Sequence, residues 1–243
     1  MKKKVIITIV IVVLVLGGII GKYAFEKAQE VHDNSVVEFK DETMGQVLCN
    51  SCYWSDEITL KNVTYKDLKG IKELKIGYVG YYDTLVDLQY CTDLKKLGIN
   101  GGVGENEGAY FINNGNANGE ISEKKVEKVQ EELKKVLPKL NEIEWLVISG
   151  EGGIEWTSID FIKNCDSIEV FWIDHCQATD YSVLKTCKSL KSLDIAYSDL
   201  SKAEDIIGLE NLESIMILNT PLAENPEEVK KLQEAYPDAE IYY

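Results

Sequence analysis

Arginine is absent from this chain: all 26 of its basic residues are lysine, against 41 acidic ones, for a net charge of −15. Proteins that read nucleic acid or phosphate need a basic face and lean on the planar guanidinium fork. With neither present, nucleic acid is excluded as a partner. The acidity serves solubility, or the attraction of a basic partner. Histidine is nearly as scarce, with only His32 and His175, far apart in sequence. Cys49-Asn50-Ser51-Cys52 is a lone C-x-x-C that lacks the two further ligands a zinc site requires, so no metal is assigned to it. A redox role for it would need a βαβ setting that the pattern does not offer. The chain also lacks the nucleophile elbow, the H-E-x-x-H helix and the P-loop. No catalytic residue and no cofactor are therefore expected. Asn114-x-Asn116-x-Asn118-Gly119 copies the spacing of a calcium loop, but its first, third and fifth positions carry no carboxylate and its twelfth is Lys125. Such a loop has no charge with which to hold the ion.

What the chain has in abundance is a repeating apolar template. Ile168-x-x-Phe171-x-Ile173, Leu190-x-x-Leu193-x-Ile195 and Leu212-x-x-Ile215-x-Ile217 follow one another at intervals of 22 residues. Looser copies lie upstream at Ile71/Leu74/Ile76, Leu94/Leu97/Ile99 and Ile143/Leu146/Ile148. Three residues before each motif stand Leu68, Cys91, Leu140, Cys165, Cys187 and Leu209, again apolar. A period in the twenties with this pattern is the signature of a leucine-rich repeat. Each turn of such a repeat contributes a short strand and cannot bury its apolar face alone. The predicted fold class is an α/β solenoid with a parallel concave sheet, a helical N-terminal cap and a C-terminal helix/strand cap.

The segments around the repeats have their own grammar. Lys2, Lys3 and Lys4 precede an apolar run at 5–21, which at 1.5 Å per residue makes roughly 25 Å of helix. It reads as an uncleaved signal-anchor, with residues 1–4 cytoplasmic and the repeats outside the cell membrane. The alternative is a secreted protein, cleaved at the weak small-x-small site Val15-Leu16-Gly17. Residues 22–35 are polar and of mixed charge and read as a stalk. Residues 36–70 read as the cap, with Asp41 capping a helix and Thr64/Asp67 forming a capping box. The repeats occupy 71–243, with an insertion at about 100–137 and a terminal cap from about 221. Within the insertion, Ser122 caps a helix whose stripe is Val126, Val129, Leu133 and Val136. Asn225-Pro226 with Glu228 predicts a second capping box, with Val229, Leu232 and Ala235 packing inward.

The run Val37-Glu38-Phe39-Lys40-Asp41, Ile58-Thr59 and Tyr65-Lys66-Asp67-Leu68 feeding the repeats resembles the N-terminal cap of bacterial leucine-rich-repeat surface proteins of the internalin type. The repeats are similar to the 22-residue subclass of that superfamily. The resemblance spans about 36–243 and implies a curved solenoid and a protein-interaction role. The chain departs from the pattern at the position usually held by asparagine, which carries Val79, Gly102, Glu151, Cys176, Ser198 and Thr220.

Alternation along the strands sorts the remaining residues. Cys91, Cys165 and Cys187 fill leucine slots and read as small buried hydrophobes. Facing outward are Trp145, Val147, Val170, Trp172, Asp174, His175, Asp194, Tyr197, Met216 and Leu218, with Ser192, Ala196 and Ser214 between them. This apolar and aromatic strip edged by two aspartates is the candidate ligand-binding face, with Trp145, Trp172, Tyr197 and Met216 as anchors. The expected function is non-enzymatic binding of an unknown protein ligand by a membrane-anchored module. The alternative is a glycan-binding surface, since flat aromatic rings also stack on sugars.

Overall fold

A computed structural model describes residues 21–52, 57–99, 121–150 and 154–243. The apolar run up to residue 20, the asparagine-rich stretch 100–120, and Glu151 and Gly102 of the departure position lie outside them. Among the described residues no helix is long and apolar enough to cross a membrane.

Seven parallel strands form one sheet in chain order: β1 (Glu73–Lys75), β2 (Lys96–Ile99), β3 (Trp145–Ile148), β4 (Val170–Ile173), β5 (Ser192–Asp194), β6 (Ser214–Met216) and β7 (Glu240–Tyr242). The register follows the apolar template. Leu74, Leu97, Leu146, Phe171, Leu193, Ile215 and Ile241 lie side by side across the sheet. All but Ile241 of this row are buried, as are the isoleucines two residues on from Ile76 to Ile217. Burying such a side chain is worth about 1.5–3 kcal/mol, so each turn is stabilised chiefly by its neighbours. The insertion does not break the sheet: β2 pairs with β3 directly, Leu97 opposite Leu146.

The convex side is made of short 3-10 segments, among them Val86–Tyr90, Asp160–Ile162, Ser182–Thr186 and Ala203–Asp205. In the third turn a full helix, α4 (Glu123–Val136), stands in their row, capped by Ser122. Its apolar stripe is buried as the period predicts, but two polar residues beside the stripe are buried too, Gln130 and Glu132. Gln130 Oε1 accepts from the amides of Thr157 and Ser158, both at 2.9 Å. Glu132 accepts from Leu85 N at 2.7 Å and from Thr84 Oγ1 at 2.8 Å. The helix thereby grips the turn before it and the turn after it.

At the N-terminal end, residues 21–33 are helical (α1), and His32 stacks on Tyr65 with ring centres 4.4 Å apart. Helix α2 (Glu42–Ser51) is capped by Asp41, whose Oδ1 accepts from Met44 N at 2.8 Å. Helix α3 (Tyr65–Lys69) carries the expected capping box between Thr64 and Asp67. The other oxygen of Asp41 accepts from the amides of Asp83 and Thr84, so the cap is tied to the second turn. Beside it Asp87 is fully buried: Oδ2 accepts from the amides of Lys40 and Asp41, while Oδ1 has no partner. Burial raises the pKa of this carboxyl.

Helix α5 (Pro226–Ala235) closes the other end, with Asn225 accepting from the amides of Glu227 and Glu228. The predicted reciprocal half of that box does not form. Asn225 N already donates to Leu222 O, and Glu228 instead accepts from Ala203 N at 2.8 Å in the preceding turn. Ala235 is exposed rather than inward, and the half-buried Tyr236 takes up the contact. Its hydroxyl donates to Ile206 O at 2.7 Å and accepts from the amides of Gly208 and Leu209.

Candidate interaction surface

Successive strand residues point to opposite faces of a sheet, and the parallel register aligns the outward ones in rows. One row runs Glu73, Lys96, Trp145, Val170, Ser192, Ser214 and Glu240; the next runs Lys75, Gly98, Val147, Trp172, Asp194, Met216 and Tyr242. Trp145 and Trp172 are thus diagonal neighbours on adjacent strands. Their ring centres lie 5.5 Å apart at an interplanar angle of 45°. Aromatic pairs favour such offset and tilted contacts over face-to-face stacking. Lys96 Nζ sits 5.5 Å from the centre of the Trp145 ring, a cation over the π face that the apolar pattern alone did not reveal.

Beyond the strands the chain turns, and the same backbone device recurs. His175, Tyr197 and Asn219 stand 22 residues apart and all adopt left-handed φ values of 51°, 55° and 54°. The turn throws their side chains to one margin of the concave face. There the rings of His175 and Tyr197 stack at 5.1 Å, within 3° of parallel. Gly150 lets the third turn approach. A Cβ there would collide with His175 Cβ, and would lie 2.8 Å from Ile154 O and 3.0 Å from Asp174 O. Asp174 fixes the junction: its Oδ1 accepts from Gly150 N at 2.6 Å and Ser149 Oγ at 3.2 Å, and meets His175 Nδ1 at 2.8 Å.

Not every outward residue reaches the surface. Tyr197 and Leu218 are 53% and 38% exposed, and His175 is exposed as well. Trp145, Val170, Trp172, Asp174, Asp194 and Met216 are half-buried. Val147 and Ala196 are only 8% and 5% exposed. Val147 is directly opposite Trp172 and two residues from Trp145, so two indoles flank a short side chain. These two positions shape the floor of the strip. Asp194 Oδ1 accepts from Ala196 N at 3.1 Å. Its burial, and then the charge of Asp174, raise the pKa of the Asp194 carboxyl despite that bond.

The cysteines lie elsewhere, all six as buried free thiols. Burial pushes Cys49, Cys176 and Cys187 up to about 11, and Cys52 and Cys165 to about 12. Cys187 Sγ lies 3.4 Å from Ile162 O and Cys165 Sγ 3.9 Å from Phe161 O. Cys176 occupies the asparagine position: Tyr181 donates to its carbonyl at 2.7 Å. Two turns on, Thr220 Oγ1 donates to Ile217 O at 2.8 Å and accepts from Ala223 N. Hydroxyls and a tyrosine thus satisfy the turns where an asparagine ladder is lacking. The deepest aromatic is Trp156, fully buried, with Nε1 donating to Ser149 O at 3.1 Å. Trp54 and the calcium-like stretch at 114–120 lie outside the described residues. Among the described residues no group of three His, Cys, Asp or Glu side chains is placed to hold a metal ion.

The sequence matches no family model and no curated protein. A solved structure does share the fold. An internalin (inlF) of Listeria monocytogenes superposes with a TM-score of 0.50 at 14% identity, over 87% of this chain and 57% of its own. The chain thus spans little more than half the length of that protein. A leucine-rich-repeat protein of Leptospira interrogans aligns at 14% identity and a TM-score of 0.38, over 73% of this chain and 50% of its own. The fold is a leucine-rich-repeat solenoid like that of the internalin.

Proposed function

We propose that this chain is a non-enzymatic, membrane-anchored binding module of the 22-residue, internalin-like kind, which takes a protein ligand on its concave face outside the cell. The observation that carries the reading is the tilted pair Trp145–Trp172, held on adjacent strands at 5.5 Å and left half-buried. Tryptophan and tyrosine are enriched among the residues that dominate protein interfaces, and a contiguous aromatic strip is rarely left on a soluble surface without a use. Val170, Met216 and Leu218 make the strip apolar rather than hydroxyl-binding, which favours protein over glycan. The lysine-flanked run at 5–21 supplies the anchor.

The test uses the full-length protein in detergent as bait, beside the double variant Trp145→Ala/Trp172→Ala. Both side chains point away from the core, so the variant is expected to keep the circular dichroism and melting behaviour of the parent. The ligand is then whatever the parent retains and the variant loses. Its affinity is expected to drop by about 2 kcal/mol or more if the pair is a hot spot. Retention of the same proteins with equal affinity by both baits would sink the reading.

A further inference from the structure

The carboxylates of the concave face fall into two groups. Along the margin where the strands begin, three have a lysine: Glu73 pairs with Lys96 at 2.9 Å, Glu144 with Lys95 at 2.6 Å and Glu169 with Lys191 at 2.9 Å. Toward the margin where the strands end, Asp174 and Asp194 stand among Trp172, Tyr197 and Met216, and no lysine of the described residues pairs with either. Each uses a single oxygen for its internal hydrogen bonds. The second oxygen of each accepts none from the described residues. The fold itself opposes the charge on Asp194, through burial and through the neighbouring Asp174. An incoming cation would relieve both.

The geometry selects the kind of cation. Asp194 is registered with Trp172, and Asp174 lies two residues further along the neighbouring strand. Strand spacing and rise place their Cα atoms roughly 8 Å apart. Two carboxylates can span a guanidinium or ammonium head, whereas a metal ion needs more oxygen ligands than these two offer, and among the described residues no third acidic, histidine or cysteine side chain joins them in a group placed to hold one. Trp172 and Met216 flank Asp194 on its two neighbouring strands, and their indole and thioether accept an alkyl stem. Resting on the concave-face reading above, we propose that this end of the strip receives a lysine or arginine side chain of the protein ligand. Its stem lies on Trp172 and Met216, and its head lies between Asp174 and Asp194.

The probe is a set of short peptides, identical but for a central lysine, arginine, citrulline, norleucine or glutamate in an alanine/leucine background. Binding to the full-length protein in detergent is read by fluorescence polarisation. The basic peptides are expected to bind about tenfold more tightly than the citrulline and norleucine peptides at low salt, and the margin is expected to shrink at high salt. Asp174→Asn/Asp194→Asn keeps an acceptor for every internal hydrogen bond, so it should fold normally and bind all the peptides alike. Trp172→Ala should weaken every peptide. If no basic preference exists while Trp172→Ala still weakens all, the inference fails and the concave-face reading survives. A basic preference that persists in the Asn variant overturns the inference, because the charge is then read elsewhere. Peptides that bind with full indifference to Trp172 overturn both, and an array in which no peptide binds also overturns the inference.

Discussion

A thiol whose pKa has been pushed to about 11 or 12 by burial is almost wholly protonated at neutral pH. At pH 8 only about one in a thousand to one in ten thousand such groups is the nucleophilic thiolate. The native protein is therefore expected to react negligibly with a disulfide reagent such as DTNB at pH 8, and to release six equivalents once unfolded in guanidinium. A fast native phase would reveal an accessible cysteine and undo the assignment of all six to the core. The sign of the shift also fixes a pH trend. A thiol with a raised pKa keeps its proton in the fold where the unfolded chain gives it up, so these cysteines erode stability only as pH climbs above the ordinary thiol range. The aromatic strip is residue-scale as well. Strand alternation made Trp145 and Trp172 legible from sequence, whereas the His175–Tyr197 stack was not, because a left-handed turn at a non-glycine residue leaves no local signature.

At the scale of elements, the third turn rests on polar grips. Helix α4 fills its apolar stripe as its period demands, yet Gln130 and Glu132 are what register it against the turns on either side. Gln130→Ala leaves the part-buried amides of Thr157 and Ser158 without their acceptor and is expected to cost about 1 kcal/mol, measurable as a lowered urea midpoint. Gln130→Glu retains an acceptor and should lose less. A Gln130→Ala protein as stable as the parent would show that the two amides find other partners. Asp87 is the counterpart at the N-terminal cap. Its carboxyl holds a proton in the fold that the unfolded chain releases near pH ~3.9, so its contribution to stability falls as pH rises from there to the folded value. Asp87→Asn keeps the acceptor for Lys40 N and Asp41 N and removes that slope. It should be at least as stable as the parent at neutral pH, while Asp87→Leu, which orphans both amides, should lose about 2 kcal/mol or more. Parallel pH–stability curves for Asp87→Asn and the parent would exclude a raised pKa at Asp87. None of these grips is legible in sequence. Polar residues beside an apolar stripe default to solvent, and their partners lie in turns that do not repeat. Glu228 shows the same blindness: its spacing from Asn225 fits a capping box, but an open amide in the preceding turn competes for it and wins.

For the whole molecule, the repeat template carried the architecture, because a solenoid is close to a sum of neighbour contacts. The apolar slots of one turn predict those of the next, and even the long insertion leaves β2 and β3 in register. What the period cannot encode is the pattern of charges across the face, where lysines pair with three glutamates of one margin and none pairs with Asp174 or Asp194 at the other. The proposed N-terminal anchor has consequences at the scale of the whole molecule. We expect the full-length protein to sediment with membranes, to resist alkaline carbonate extraction, and to be trimmed by protease added to intact spheroplasts. A soluble mature form beginning near Gly18 would mean that the apolar run is cleaved.

The recurring left-handed turn has an energetic corollary. An L-residue with a bulky side chain at φ near 55° costs on the order of 1 kcal/mol or more relative to its preferred regions, and asparagine tolerates it best. The third of these turns holds Asn219, yet the two before it hold His175 and Tyr197. Tyr197→Asn is therefore expected to raise the melting temperature while depriving His175 of its stacking partner and the margin of its most exposed ring. Those two positions would lie where selection for recognition and selection for durability pull apart: a library sorted for thermostability alone should drift toward asparagine at 175 and 197, and one sorted for ligand retention should not.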